Sequence, residues 1–335
     1  MRGAFMMPIL TIVVPSYKTA KFLNYTLPQY AKAVLSGLVR VAFIDDGSPD
    51  DTGVLLQDFA ARHSKYCSYH KKTNGGHGSV INYALDEVIQ TKYFRIVDGD
   101  DYIISSELCS FARALKEIDA DIIIDQTSIS ELGSHPRPLG ANYLKQGPID
   151  MHEVAPSLAA TTYKTEMWKT HNIKLTEHVY YEDMQYNLFP LAFAKTAYYL
   201  PFSTYVVVVG NATQSTAPEN ATNHLEDYCR VIQDIFIFNQ HLTVCPPYYL
   251  MRSSSIVGQL VDSYVHLAAL YCKTLTEARR RIALLKSMPF YREMLESCSE
   301  ETKKVMLGPL SLLRIRTRFR AKRKMRNLLG RRKNA

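Results

Sequence analysis

The sequence predicts an α/β protein: a doubly wound, mostly parallel sheet, then a helical C-terminal region and a basic tail. Three observations carry this. Short apolar runs alternate with helix-period segments through the first hundred or so residues. The runs are continuously apolar, which suits strands covered on both faces. Polar residues gather directly after each run, at the strand ends where open parallel sheets bind ligands.

In chain order, Ile9 to Val14 reads as the first strand and Phe22 to Leu38 as a helix. That helix is interrupted near Pro28, since proline lacks the amide that a helix interior uses. Arg40 to Ile44 is the second strand and runs into Asp45-Asp46-Gly47-Ser48-Pro49; Thr52 to His63 is the next helix. A short third strand precedes Asn74 to Gly78, a helix covers Ser79 to Ile89, and the strand Tyr93 to Val97 ends in Asp98-Gly99-Asp100-Asp101. Ile104 to Thr216 holds a helix from Glu107 to Ile118, a strand from Asp121 to Ile124, a polar loop, and an apolar strand from Tyr205 to Val209. From about Asn223 the pattern is helical, with few breakers before Pro309. The α/β part is therefore expected to end at 216, with a helical region over 217–310 and a tail over 311–335. No repeat of solenoid length appears.

Of the 335 residues 47% are apolar and 21% charged, which is core material enough for a globular chain and excludes a disordered one. The net charge of +8 is local. Arg314 to Lys333 holds eleven Lys or Arg and no Asp or Glu, leaving 29 basic against 32 acidic residues elsewhere. The tail interleaves its cations with Leu313, Ile315, Phe319, Met325 and Leu328, a pattern that suits an anionic membrane surface. Nucleic acid is disfavoured as a partner, because Phe319 is the one aromatic available for stacking; a simply solvated tail is the third reading. Six scattered cysteines without a C-x-x-C pair point to reduced thiols. Sequons at Asn24, Asn211 and Asn220 matter only in a secreted chain. The run Phe5 to Val14 is too short to cross a bilayer. These features predict a cytoplasmic protein, free or peripheral on the inner face of the membrane.

Four clusters carry chemistry. Three carboxylates in Asp98-Gly99-Asp100-Asp101 repel one another unless a hard divalent cation sits there; the alternative is an acidic cap for the next helix. In the turn after the second strand, Asp50 and Asp51 suit a helix start, while Asp45 and Asp46 stand where a nucleotide base could donate to them. Asn74-Gly75-Gly76-His77-Gly78-Ser79 fits neither G-x-G-x-x-G nor a Walker loop; its glycines admit either a phosphate or a plain turn. Tyr180-Tyr181-Glu182-Asp183 sets two carboxylates among aromatics, where burial would raise a pKa toward that of a general base, or else begins a helix.

In order and spacing these pieces resemble family 2 glycosyltransferases of the GT-A fold, over roughly Pro8 to Thr216. The matching strings are ILTIVVPSYKTAKFL, VAFIDDGSPDDT, NGGHGSVINYAL, YFRIVDGDDYI and YYEDMQYN. The resemblance is closest to a bacterial branch with NGGHGS, DGDD and GNA-x-QS strings, the last here being Gly210-Asn211-Ala212-Thr213-Gln214-Ser215. It implies a donor-binding part over 8–103 and an acceptor side over 104–216. It also implies a nucleotide site of Pro15, Tyr17, Asp46, Asn74, Gly75 and Asp98, and a Mn2+ or Mg2+ site on Asp98 and Asp100. Asp183 would be the general base, with Asp45, His77, Asp101, Glu182 and Gln214 in support.

The implied reaction is inverting transfer from a nucleotide sugar, a UDP-sugar in first place, to a hydroxyl of a saccharide or lipid-linked acceptor by single displacement. Two positions depart from the family pattern: Val208 and Ile81 stand where relatives often carry arginine, and the tail or Lys164 would have to compensate. No Q-x-x-R-W string accompanies the domain, which favours single-sugar transfer over processive synthesis. A non-catalytic nucleotide-sugar- or lipid-binding protein of the same fold, or a nucleotidyltransferase, is the competing expectation.

Overall fold

A computed structural model describes residues 7–131, 134–139, 145–209, 218–308 and 312–317. The chain opens with β1 (Leu10–Ser16), α1 (Ala20–Val34), β2 (Val39–Asp45), α2 (Thr52–Arg62), β3 (Cys67–Lys71), α3 (His77–Tyr83) and β4 (Tyr93–Ile96). It continues with β5 (Tyr102–Ile103), α4 (Ser105–Ala114), β6 (Ile122–Glu131), β7 (Arg137–Pro138), β8 (Gly147–Ile149), β9 (Thr161–Lys164), α5 (Thr165–Thr170), α6 (Asp183–Leu188) and β10 (Ala197–Val209).

These strands form one sheet along the path β3-β2-β1-β4-β9-β6-β10-β5, with β7 on β6 and β8 on β10. The long pairings, β1 with β2 and β4, β2 with β3, and β6 with β10, are parallel; the antiparallel ones span two or three residues each. The predicted α/β class with a mostly parallel sheet therefore holds. Strand order reverses between β1 and β4, and a crevice opens beyond their carboxyl ends at such a reversal.

β1 is buried from end to end, which explains its mostly apolar run. Tyr30 of α1 and Phe59 of α2 meet Phe43 of β2 edge to face, at 5.4 and 5.6 Å between ring centres. Each such burial is worth roughly 1.5–3 kcal/mol, so this aromatic column fixes both helices on the sheet.

Three elements differ from the sequence reading. α1 runs through Pro28 without interruption. Pro28 and Asn24 both lie on the exposed side, so water can satisfy the carbonyl that loses its partner, while Phe22, Thr26, Tyr30 and Ala33 hold the buried side. The helix expected over 79–89 begins at His77 and widens into a π turn over Ala84–Val88. β6 and β10 extend well beyond their apolar cores, because each supplies the other's ladder across intervening polar residues.

A buried ion pair braces the sheet beneath the site. Arg95 of β4 donates to Asp125 of β6 at 3.0 Å, to Thr204 of β10, and to the Ala159 carbonyl at 2.8 Å. Both charged side chains are fully buried. Breaking such a pair from one side costs about 3–5 kcal/mol, so the strand that carries the acidic turn is held firmly.

The chain divides into two compact units, Met1–Asn211 and Ala212–Ala335. The second consists of α7 (Pro218–Asn223), α8 (Leu225–His241), α9 (Pro247–Tyr271), α10 (Leu275–Lys286), α11 (Tyr291–Ser297) and α12 (Glu300–Leu307), with a further helical turn at 312–317. Among the described residues no helix is long and apolar enough to cross a membrane. The described start of the tail packs on its own unit: Leu312 is buried, and Arg316 donates to the carbonyls of Cys272 at 2.9 Å and Thr274 at 3.3 Å. A cation there satisfies carbonyls just beyond the end of α9.

Candidate active site

The site forms where β1, β2, β3 and β4 end. Pro15 is buried in the last residues of β1, and Tyr17 beyond it is 46% exposed, with the Lys18 ammonium 5.0 Å from its ring centre. The acidic turn folds directly against this strand end. A Cβ on Gly99 would lie 2.7 Å from the Pro15 carbonyl oxygen, so the glycine of the DGDD string is there for close approach.

The turn itself is electrostatically loaded. Burial and the neighbouring Asp98 raise the Asp100 pKa. Burial, Asp98 and Asp100 push Asp101 up to about 8, against the hydrogen bonds it accepts. Those bonds come from the Tyr205 hydroxyl and the Val208 amide, both at 2.7 Å, and Tyr205 in turn accepts from the Asp98 amide at 3.2 Å. Asp101 thus ties the turn to β10. Asp98, whose side chain is 38% exposed, and Asp100, half-buried, are the other two carboxylates of this turn. Hard, mutually repelling oxygen donors are the set that suits Mg2+ or Mn2+, and such ions commonly complete their shell with phosphate oxygens and water. Among the described residues no group of three His, Cys, Asp or Glu side chains forms a cage by itself.

The glycine-rich turn does something the sequence did not disclose. Asp46 accepts from the Gly75 amide at 3.0 Å, the Gly76 amide at 2.8 Å and the Lys72 ammonium at 2.8 Å, while its carbonyl accepts from Asn74 Nδ2 at 2.9 Å. Asp46, Asn74 and Gly75, three residues expected to face a nucleotide, thereby satisfy one another. Asp45 is likewise engaged, accepting from the Ser48 amide at 2.8 Å and the Tyr69 hydroxyl at 3.1 Å. Lys72, which also donates to Ser79 Oγ at 2.7 Å, escaped sequence reasoning; its signal was a lysine one residue past a strand that ends beside Asp45.

The glycines admit the chain itself. A Cβ on Gly78 would stand 2.3 Å from the Thr176 carbonyl oxygen, and one on Gly76, whose φ is +84°, would meet the backbone of His178. The His178 amide donates to the Gly75 carbonyl at 2.7 Å. Asn82 exchanges two hydrogen bonds of 2.9 Å with the Leu175 backbone and donates a third to Glu177. The segment leading to Asp183 is therefore docked on the glycine turn. His178 and Tyr181 hold positive φ within it, at 57° and 73°, a strained conformation for non-glycine residues.

His77 joins the two halves. Its Nδ1 lies 2.7 Å from Glu182 Oε1, and its Nε2 lies 3.1 Å from Asp98 Oδ1, off the line a good hydrogen bond takes. Burial favours the neutral ring, but the two carboxylates outweigh it and hold the pKa well above the usual histidine range. Asp183 opens α6 next to Glu182. Burial and the Glu182 charge raise its pKa to about 6, with His77 pulling the other way.

Some expected residues do not meet here. Lys164, offered as compensation near the phosphates, pairs with Asp119 at 2.9 Å, at the β9 end that borders the start of β4. That is the opposite end of the parallel strands from the site, where Glu117, Asp119, Pro148 and Tyr198 also line a cavity of about 440 Å³. Ile81 and Val208 are buried in the core, so neither position offers a charge to the site. Gln214 and the rest of its string lie outside the described residues, as does the tail beyond 317.

Known proteins carry the same architecture. The crystal structure of Staphylococcus aureus TarS 1–349 in complex with UDP-GlcNAc superposes with a TM-score of 0.65 at 16% identity, over 92% of this chain and 88% of that one. A mannosyltransferase from Pyrobaculum calidifontis, solved with GDP-Man and Mn2+, gives 0.52 at 14% identity over 92% and 86%. In sequence, the glycosyltransferase EpsJ of Bacillus subtilis is 26% identical over 50% of this chain and 44% of its own length. MG025 of Mycoplasma genitalium is 23% identical over 70% of this chain and 80% of its own. The chain thus spans less than half of one of these relatives and four fifths of the other. Residues 11–181 match the family described as Glycosyl transferase family 2, and they include every strand end of the crevice. On that match, which takes in just over half of the chain, the protein belongs to glycosyltransferase family 2.

Proposed function

We propose that the protein is an inverting glycosyltransferase that moves a sugar from a nucleotide-sugar donor, a UDP-sugar in first place, to a hydroxyl of a saccharide or lipid-linked acceptor. The observation that carries this reading is Asp183, a carboxylate with its pKa raised to about 6, on a segment docked against the glycine-rich turn, whose His77 also approaches Asp98 of the acidic turn. A base with a pKa near neutrality is ionised at working pH and still basic enough to take a proton from an attacking hydroxyl. In this scheme Tyr17 and the buried Pro15 line the base pocket, and Asp98 faces the donor. Asp46, Asn74 and Gly75 shape the turn from within. Asp98 and Asp100 would hold a Mn2+ or Mg2+ ion, which supplies Lewis-acid stabilisation of the departing diphosphate when bound. Asp183 Oδ accepts the acceptor's proton as the oxygen attacks the anomeric carbon opposite the leaving group. One displacement inverts configuration. Solved neighbours that bind UDP-GlcNAc and GDP-Man support a nucleotide sugar as donor, and the TarS name, a poly(ribitol-phosphate) β-N-acetylglucosaminyltransferase, supports a cell-envelope polymer as acceptor.

The test is a panel of nucleotide sugars with Mn2+ or Mg2+, following nucleoside diphosphate release across pH. The working donor should give a rate that rises through about pH 6 and flattens above it, because Asp183 is a base only once deprotonated. A flat profile from pH 5 to 8 would remove Asp183 from the base role. No release with any donor, acceptors included, would favour a binding protein of this fold.

We also propose that the tail places the enzyme at an anionic membrane face, as suits a lipid-linked acceptor. Nine of its eleven cations lie beyond Thr317, whereas Leu312 and Arg316 are committed to the helical unit. Truncation after Thr317 should abolish sedimentation with phosphatidylserine vesicles without lowering the melting temperature. Sedimentation equal to that of the full chain would end the docking reading.

A further inference from the structure

We infer that His77 is a positioning residue for sugar transfer: by engaging Asp98 and Glu182 at once, it sets where the Asp183 segment stands relative to the donor-holding turn. The inference rests on the transferase reading, with Asp98 at the donor and Asp183 as base.

The geometry has three parts. First, both ring nitrogens stand next to carboxylate oxygens: Nδ1 is within hydrogen-bond distance of Glu182 at 2.7 Å, and Nε2 lies 3.1 Å from Asp98 at an angle off the hydrogen-bond line. The two carboxylates come from different elements, one just after β4 and one just before α6, so the ring is a cross-link between them. Second, the ring is mounted on a fixed base. Asp46 takes the amides of Gly75 and Gly76, and the Lys72 ammonium binds Asp46, Ser79 and the Thr73 carbonyl. His77 follows these residues directly and cannot drift with a moving loop. Third, the segment it holds carries strain. His178 and Tyr181 sit at positive φ between the tie at Gly75 and the tie at Glu182. Such a backbone persists only where its surroundings over-determine it, and the His77–Glu182 contact lies one residue before Asp183.

A positioning role differs from a donor-binding one in what it costs. A displacement of the base by about 1 Å lowers the chemical step by up to about a hundred-fold while leaving donor contacts largely in place. His77→Gln spans a similar length but cannot direct donors at both carboxylates. Its kcat should fall by about ten- to a hundred-fold, with donor KM, and the affinity for UDP or GDP measured by calorimetry with Mn2+, changed by less than about threefold. Amide hydrogen exchange over 176–183 should speed up in the nucleotide-free variant. His77→Arg, whose guanidinium can reach two carboxylates, should recover part of kcat. Glu182→Ala cuts the same bridge from its other end and serves if His77→Gln melts too low to assay. The double variant should lose no more than the larger single loss, as members of one unit do.

Wild-type kcat in His77→Gln, or losses that multiply in the double variant, would overturn the inference. So would unchanged exchange over 176–183. Asp183→Asn, assayed in parallel, separates the two readings: if it is inactive while His77→Gln runs at full rate, only the positioning role falls. If Asp183→Asn keeps its activity, the assignment of the base falls, and the positioning role with it.

Discussion

Asp183→Asn should lower sugar transfer by about a hundred- to ten-thousand-fold, the range that a general base contributes. Asparagine keeps the size and the place at the start of α6 but cannot take a proton. The fold should not suffer. Burial and Glu182 disfavour the ionised carboxylate here, so a neutral side chain relieves a cost. The melting temperature of the variant should match or exceed that of the wild type at neutral pH, and nucleoside diphosphate affinity should be retained. Single-turnover release from a bound donor measures the chemical step without product release. A rate within tenfold of wild type would mean that another group accepts the proton.

Asp100→Ala should separate binding from stability in the same way, through a different cause. Its pKa is raised by burial and by Asp98, so the charge is unfavourable in the free protein. Removing it should leave stability unchanged or improved at pH 7, an instance of a site that holds cost for function. Metal-dependent binding of UDP or GDP should fall by about a hundred-fold or more, since a divalent ion supplies several kcal/mol of charge stabilisation in such sites. Calorimetry with and without EDTA reads this directly. Wild-type affinity in the variant, with the metal dependence intact, would place the ion elsewhere.

Much of this was legible in the residues. The strand β1 announces itself because both faces are covered and every position is buried, so that only Thr11 and the terminal Ser16 are polar; β2 is likewise buried except at the exposed Arg40. The acidic turn was legible because three carboxylates in four residues are costly without a cation. Less legible were β9 and the lengths of β6 and β10, whose Thr, Ser and Tyr residues are strand-compatible only beside particular neighbours. Pro28 misled because the cost of a proline depends on which side of the helix faces water, and that is a tertiary fact.

The division is sharpest at NGGHGS. From sequence alone its glycines promised backbone for a phosphate or a flexible turn, and Asp46 promised an acceptor for a base. The folded chain uses those amides for Asp46 and uses the space over Gly76 and Gly78 for the segment that carries Asp183. Local composition determined the strand ends, the family and the acidic turn, because period, burial and charge repulsion are properties of neighbouring residues. Which donor meets which acceptor was decided only by the tertiary structure: Asp46 and Gly75 are 29 residues apart, and His77 and Glu182 are 105 apart, so no local pattern encodes their meeting.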